Sequence, residues 1–468
     1  MAWVRMRRPP LLQYKLLCLS LLYLLTTLPL ALYVSFSDPS RCLPLHRLLL
    51  LPARASPPAT PLFQYPRGYG AHKHALPTPR ALCADPALFS ADYNTVLQEI
   101  NGIGRNLSAT PRASPALRYQ NGRRDSFAGN LSIEDRRSFF NHTDSSAVEI
   151  PCGFFKDFPL AQADRLAMES CRRVVIASAI LNDHDKIRQP KGLGSHTVKA
   201  ACFFMFIDDR TQRVLASHGI LRDEHVGTAS AVVGAWRVVT LKQQELPYEH
   251  PAMNGVVVKH LLHRLFPNAM FSVWVDAKMQ LTVDPLLLVH SLLVGKGVDM
   301  AVSRHPFNLH AMEEAIATAR WRKWRDVDAI RAQMEAYCGN GLQPWSPSKL
   351  PYPSDVPDTA IIVRRHGSAS DLFSCLLFNE LEAFNPRDQL AFAYVRDQMS
   401  PKVSINMFEA EVLEHISVEY RHNLKRENGG IGGGGGAKQG IARMASSRDI
   451  AGSSCEGYLM KMWGEPAE

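Results

Sequence analysis

The feature that most restricts how this chain can fold is a recurring kind of strand. Three apolar runs end abruptly on acidic residues: 173–181 (RVVIASAIL) on Asn182-Asp183-His184-Asp185, 200–207 on Asp208-Asp209, and Phe271–Val275 (FSVWV) on Asp276-Ala277-Lys278. Runs of this length, rich in Val, Ile and Phe, are expected to be buried strands. Helical patterns separate them. Residues 254–266 place Val257, Leu261, Leu262 and Leu265 on one face, and 284–293 opens with Asp284 as N-cap and Pro285 at the first helical position. Further on, helices are expected over 310–337 and 368–384, and a strand over 360–363. Strands alternating with helices specify an α/β fold built on a mostly parallel sheet flanked by helices. In such sheets ligands bind at the carboxyl ends of the strands, where these acids and the neighbouring Lys186, Arg188, Lys191 and Lys278 fall. Asp276 and Lys278 project to the same side, a pair suited to hold a cation and a phosphate, or to form a plain strand-end salt bridge.

The N-terminus constrains the compartment. Arg5, Arg7, Arg8 and Lys15 precede 16–34, nineteen residues without a charge, which as a helix would span roughly 28 Å. This reads as a signal-anchor with residues 1–15 cytosolic and the rest lumenal; a cleaved signal peptide is the competing reading. Residues 35–149 read as a stem, proline-rich and without long apolar periodicity, with room for short ordered pieces near 87–100. The stem carries sequons at Asn106, Asn130 and Asn141, and none falls in the body. Beyond 425 the glycine run 432–436 points to a disordered tail. A net charge of +9 is modest for 468 residues and favours anionic partners without signalling nucleic acid.

Other groups carry weaker signals. His260 and His263 fall three apart on a helix, without an evident third metal ligand, which favours a helix-surface role. Trp321 and Trp324 fit core packing better than a sugar-binding cleft. Cys152 and Cys171 bracket one element and could pair, while Cys202 and Cys375 sit in apolar runs as buried thiols would. Outside the glycine run of the tail no GxGxxG occurs, and no Walker lysine loop, HExxH or GxSxG occurs.

The segments PCGFF (151–155), NDHDKIRQPKG (182–192), FFMFIDD (203–209), PAMNG (251–255), SVWVDAKMQ (272–280), ARWRKW (319–324), LQPWSPSKLPYPSDVPD (342–358) and FNPRDQLAF (384–392) resemble a plant family of Golgi proteins. That family was formerly a domain of unknown function and is now described as glycosyltransferase-like; the resemblance covers about 150–424 and is nearest the mucilage-related hexosyltransferase branch. It implies a type II Golgi membrane protein with a GT-A-like nucleotide-diphospho-sugar transferase fold. It further implies a nucleotide-sugar donor, a polysaccharide acceptor that could be pectic, and association with other Golgi glycosyltransferases. Where such folds carry D-x-D, this chain has Asp276-Ala277-Lys278. Either Lys278 contacts the diphosphate directly, without Mn²⁺, or another carboxylate such as Asp208 completes a metal site with Asp276. Asn182, Asp183, Arg188 and Lys191 would face the nucleotide, and Asp388 would serve as the acceptor-side acid beside Asp276. The family has also been linked with amide hydrolysis of ceramide. A catalytically inactive scaffold of the same fold is a third reading.

Overall fold

The computed structural model describes residues 11–37, 63, 65–66, 69, 89, 91–107, 126–141, 152, 158–221, 231–420 and 452–464; in the first of these, side chains are described only for 15 and 17–29. Two compact units are present. One comprises Met1–Pro57 and Pro79–Asp85, the other Pro58–Thr78 and Pro86–Glu468.

The first unit contains helix α1 (Leu11–Ser37). Its described leucines 17, 19, 21, 22, 24, 25 and 28 are all exposed. Thr26 donates its hydroxyl hydrogen bond back to the Leu22 carbonyl. Among the described residues, no helix is long and apolar enough to cross a membrane.

The second unit is an α/β body. Its strands are β1 (Val174–Ile180), β2 (Ala201–Asp208), β3 (Ala231–Val233), β4 (Trp236–Leu241), β5 (Phe271–Val275), β6 (Met279–Leu281), β7 (Met300–Arg304), β8 (Pro357–Arg365), β9 (Ile405–Phe408) and β10 (Ser417–Glu419). Eight form one sheet in the order β3-β4-β2-β1-β5-β8-β7-β9, and β6 pairs with β10 in a small antiparallel ribbon. Parallel pairing joins β4 to β2, β2 to β1, β1 to β5 and β7 to β9. β8 runs antiparallel to both its neighbours, and β3 to β4. The sheet is therefore mostly parallel, as expected. The reversal of β8 has a consequence for chemistry: its first residues, not its last, lie at the edge where β1, β2, β5 and β7 end.

Both faces of the sheet are covered, which is why the strands read as continuous apolar runs. Side chains alternate between two cores: Val175, Ala177, Phe204, Phe206 and Trp274 on one face, Val174, Ile176, Phe203, Met205, Val273 and Val275 on the other. The helices of this unit are α2 (Tyr93–Leu107), α3 (Ile133–Ser138), α4 (Gln162–Ser170), α5 (Ser195–Ala200), α6 (Asp209–Ser217), α7 (Pro251–His260), α8 (Leu262–Leu265), α9 (Pro285–Leu292), α10 (Ala311–Arg320), α11 (Val327–Gly339), α12 (Ser368–Ala383), α13 (Asp388–Gln398), α14 (Ala410–Ile416) and α15 (Cys455–Trp463). Asp284 caps α9 as expected, accepting from the Leu286 amide. The helix expected over 254–266 breaks at Leu261, and the one over 310–337 breaks between α10 and α11.

Three expectations need correction. The stem is not spacer up to residue 149: residues 126–130 dock on α12, where Glu382 accepts hydrogen bonds from Ser126 Oγ and from the amides of Phe127, Ala128 and Asn130. The tail is not disordered throughout, because α15 buries Tyr458 and Leu459 and is tied to α11 by a Cys338–Cys455 disulfide. Cys152 and Cys171 do not pair with each other. Cys152 bonds Cys375 and Cys171 bonds Cys202, so the two presumed thiols are the partners. Residues 425–451 and the proline-rich part of the stem lie largely outside the described residues. Asn130 and Asn141 are exposed, and the Asn106 side chain is outside that set.

Candidate functional site

The edge where β5 ends and β8 begins gathers the densest set of charges. Asp276 follows β5; its amide donates to the Ala360 carbonyl, and its Oδ1 accepts from Trp274 Nε1 at 2.6 Å. Asp358, at the start of β8, lies close enough to Lys278, in the turn after β5, for their charges to act on each other. Lys278 Nζ lies 2.8 Å from Glu419 Oε1, a contact made possible by the β6–β10 ribbon.

From below, α7 delivers Lys259 and His260. Val256, Val257 and Val258 are buried just before this pair, so the last turn pushes an ammonium group under the strand ends. Lys259 Nζ is 2.8 Å from Asp388 Oδ2, 3.5 Å from Asp276 Oδ1 and 3.1 Å from Thr359 Oγ1. The Thr359 hydroxyl in turn donates to Asp388 Oδ1 at 2.8 Å. His260 Nε2 stands 3.3 Å from the same Asp388 carboxylate, and its Nδ1 is 3.3 Å from Arg364 Nη2. With arginine able only to donate, Nδ1 accepts and Nε2–H donates: a neutral imidazole. Asp276 and Asp388 are thus joined through one buried lysine.

The electrostatics separate the carboxylates. Burial alone would raise Asp388, but Lys259 and His260 outweigh it and hold the carboxyl well below the usual range. Burial pulls Lys259 down, and Asp276 and Asp388 more than reverse this. Lys278 behaves alike: burial lowers it, Asp276, Glu419 and Asp358 raise it, and the net shift is upward. Burial lowers His260 to about 4 against the pull of Asp388. Asp358 goes the other way, raised by burial, with Lys278 only partly offsetting. It is half-buried, whereas Asp388 is fully buried. Asp388 is therefore a fixed anion, and Asp358 is the rim carboxylate suited to exchange a proton.

The loop after β1 is pinned against this rim. Arg188 Nε donates to the Ala277 carbonyl at 3.0 Å, and its guanidinium stacks 3.9 Å from the centre of the Tyr420 ring. Gln280 Nε2 donates to the Gln189 carbonyl, and the Lys191 amide to Leu281. Lys191 itself is exposed. Asn182 and Asp183 both adopt left-handed backbone, φ +60° and +53°, a conformation Asn and Asp tolerate better than most. Their amides donate to Asp208 Oδ2 and Thr211 Oγ1. Asp208 also caps α6 by accepting from the Thr211 amide with Oδ1. Both its oxygens are so engaged, and β1 stands between β2 and β5, roughly 10 Å from strand to strand. Asp208 thus caps α6 and holds the loop after β1, while Asp358 is the carboxylate whose charge acts on Lys278 beside Asp276.

Asp276 and Asp388 are joined through Lys259, Lys278 lies two residues from Asp276, and Arg188 reaches this edge through the Ala277 carbonyl; Lys259, Thr359 and Asp358 escaped sequence reading. The available signal was a single Lys-His pair following three consecutive valines at the end of a helix. His260 and His263 are both buried, not on the helix surface. His263 Nε2 lies 3.5 and 3.4 Å from the sulfurs of Cys152 and Cys375. Among the described residues that trio is the one group of Cys, His, Asp and Glu side chains compact enough for a metal ion, and its sulfurs are bonded to each other. Trp321 is 67% exposed, so it is not core; Trp324 is half-buried against His250.

The sequence profile of the TOD1/MUCI70, glycosyltransferase-like domain matches residues 114–422. A relative from Arabidopsis thaliana named alkaline ceramidase TOD1 is 53% identical over 97% of this chain and 98% of its own length. A second, named probable hexosyltransferase MUCI70 from the same plant, is 35% identical over 64% of this chain and 52% of its own length. Among solved structures, mouse xyloside xylosyltransferase 1 aligns over 50% of this chain and 85% of its own at 7% identity, with a TM-score of 0.29. The bifunctional glycosyltransferase WbbM aligns over 51% and 39% at 11% identity, with a TM-score of 0.26. Overlaps of that size carry no argument here.

Proposed function

The chain belongs to the TOD1/MUCI70 glycosyltransferase-like family, and from that premise we propose that it transfers a hexosyl-type sugar from a nucleotide-sugar donor to a polysaccharide, with a GT-A-like donor site at the end of β5. The observation that carries this reading is the convergence of Asp276, Asp358 and Asp388 with Lys259 and Lys278 at one edge of the sheet. The donor diphosphate would lie against Lys278 and the Arg188 loop. Asp358 would take the proton of the acceptor hydroxyl. Asp388 would keep Lys259 charged beneath the leaving phosphates. A Mn²⁺ ion fits this donor set poorly. Asp276 Oδ1 already receives Trp274 and Lys259, and Lys278 stands where a second carboxylate would be. Two ammonium groups supply positive charge there, and the proposed mechanism uses no metal.

The Golgi lumen is the proposed location, with α1 as a type II anchor. The three disulfides among the described residues support an oxidising compartment, and the exposed leucines of α1 support a lipid surrounding.

The experiment is a thermal-shift screen of the full chain in detergent against UDP- and GDP-sugars, with EDTA or with Mn²⁺. A donor at 100 times its Kd should add about 2.7 kcal/mol of stability. We expect one donor to raise the melting temperature in EDTA, and Asp276→Ala to abolish the shift. No shift with any nucleotide would overturn the donor site. The second reading, hydrolysis of ceramide, is favoured by the name of the 53%-identical relative. Ceramide turnover by the same preparation, insensitive to Asp276→Ala, would establish it instead.

A further inference from the structure

The turn between α10 and α11 has the composition of a binding surface and no assigned role. Arg320, Trp321, Arg322, Lys323, Trp324 and Arg325 place four cations and two indoles in six residues without an acid. Among the described residues, Arg320, Arg322 and Arg325 are exposed and take part in no ion pair or hydrogen bond through their side chains. Trp321 is 67% exposed. Lys323 and Trp324 hold the turn in place. Lys323 Nζ is 3.3 Å from the buried Glu314, which also receives Arg387 Nη2 at 2.6 Å, and Trp324 packs edge-on to His250 at 4.7 Å between ring centres. Arg387 immediately precedes Asp388, and His250 caps the helix that carries Lys259. The turn is thus anchored to both elements that build the candidate site. On the other side of Glu314, beside His305, stands a second exposed aromatic, Phe307, at 80%.

The backbone adds an independent observation. Helix α10 ends with Lys323 N–H bonded to the Thr318 carbonyl and Arg322 N–H to Ala319, the Schellman pattern. Its left-handed position is normally glycine, and here it is Arg322 at φ +47°. A residue kept in strained backbone beside a candidate site points to use of its side chain.

We propose that this turn binds the acceptor as a carboxylate-bearing sugar chain, with Trp321 stacking on a sugar ring and Arg320, Arg322 and Arg325 receiving uronate carboxylates. Planar guanidinium forks match carboxylates in two-point contact, an exposed indole suits the apolar face of a pyranose, and a neutral chain would leave the cations unused. The proposal rests on the transferase reading for the word acceptor, and on the turn alone for the ligand.

The test is binding of the full chain in detergent to α-1,4-oligogalacturonide of about ten residues, read by tryptophan fluorescence and calorimetry. The comparators are the same oligomer with its carboxylates reduced to alcohols, and phosphatidylserine vesicles. We expect saturable binding to the oligogalacturonide, at least tenfold weaker binding to the reduced chain, and on the order of tenfold loss with Arg320→Gln or Trp321→Ala. Arg322→Gly is the second handle: it should raise the melting temperature while weakening binding. Equal affinity for the reduced chain, binding to vesicles but not to the oligomer, or full affinity in Arg322→Gly and Trp321→Ala would overturn the proposal. The donor thermal shift, run on the same preparation, is independent. If it persists without oligomer binding, the turn proposal fails alone; if it is absent while the oligomer binds, the transferase reading fails alone.

Discussion

Lys259→Met is the perturbation that probes the candidate site most directly. Methionine keeps the apolar stem inside α7 and removes only the charge. Asp388, 5% exposed at its side chain, then loses its 2.8 Å partner, and Asp276 its 3.5 Å one. Removing one member of a buried ion pair typically costs about 3–5 kcal/mol. Asp388 would retain Thr359 and the neutral His260, which places the expected loss near the lower end, about 3 kcal/mol at pH 7. Deprived of the lysine, the buried carboxylate should have a folded-state pKa above its unfolded value near 4. The penalty therefore belongs to the ionised form. It should be full at neutral pH and shrink as pH falls through that raised folded-state value towards about 4, where Asp388 takes up a proton. The assay is urea unfolding of wild type, Lys259→Met, Asp388→Asn and the double variant at pH 7 and pH 4. A coupling energy of about 2 kcal/mol or more at pH 7, reduced at pH 4, is expected. A Lys259→Met cost under about 1 kcal/mol, or additivity in the double variant, would refute the view of Asp388 as an anion held by lysine.

Three further outcomes follow from the same geometry. His260, at about 4 when folded and near 6.5 when unfolded, binds more protons in the unfolded chain between those values, so its share of stability should fall by on the order of 3 kcal/mol as pH drops across that window; urea midpoints against pH should be flatter for His260→Gln. Asp358→Asn should leave the donor thermal shift intact but lower turnover by roughly 10²- to 10⁴-fold, measured as released nucleotide with saturating donor; lost donor binding would argue against a proton-accepting role. Glu382→Ala should free the segment before α3, speeding hydrogen exchange at the Phe127 and Ala128 amides; unchanged exchange would mean that packing alone holds it.

How much of this was legible depended on whether the information was local. β1, β2 and β5 announce themselves as apolar runs because helices cover both faces of the sheet, and the acids that end them mark the edge. The direction of β8 is not local. Residues 360–363 read as a strand, but only pairing with β5 and β7 reveals that Asp358 arrives at the same edge as Asp276. Lys259 is hidden for a related reason. A lysine after three valines at the end of a helix reads as a snorkelling surface residue, and nothing nearby in sequence names Asp388, 129 positions on, as its partner. The cystine pairings span 223, 31 and 117 residues and obey tertiary proximity alone. An acid at a strand end is equally a helix cap, and Asp208 caps α6, a role the strand pattern alone does not reveal.

The Cys338–Cys455 bond turns the chain between α11 and α15 into a closed ring, and the glycine run 432–436 lies on it. A protease cutting within 421–451 would open the ring without shedding the piece beyond the cut. The nicked protein would migrate at full mass until a reductant is added, and only then release a short C-terminal fragment. A truncation placed anywhere upstream of Cys455 carries the opposite hazard. It strands Cys338 as an unpaired thiol, free under oxidising conditions to cross-link two copies of the chain.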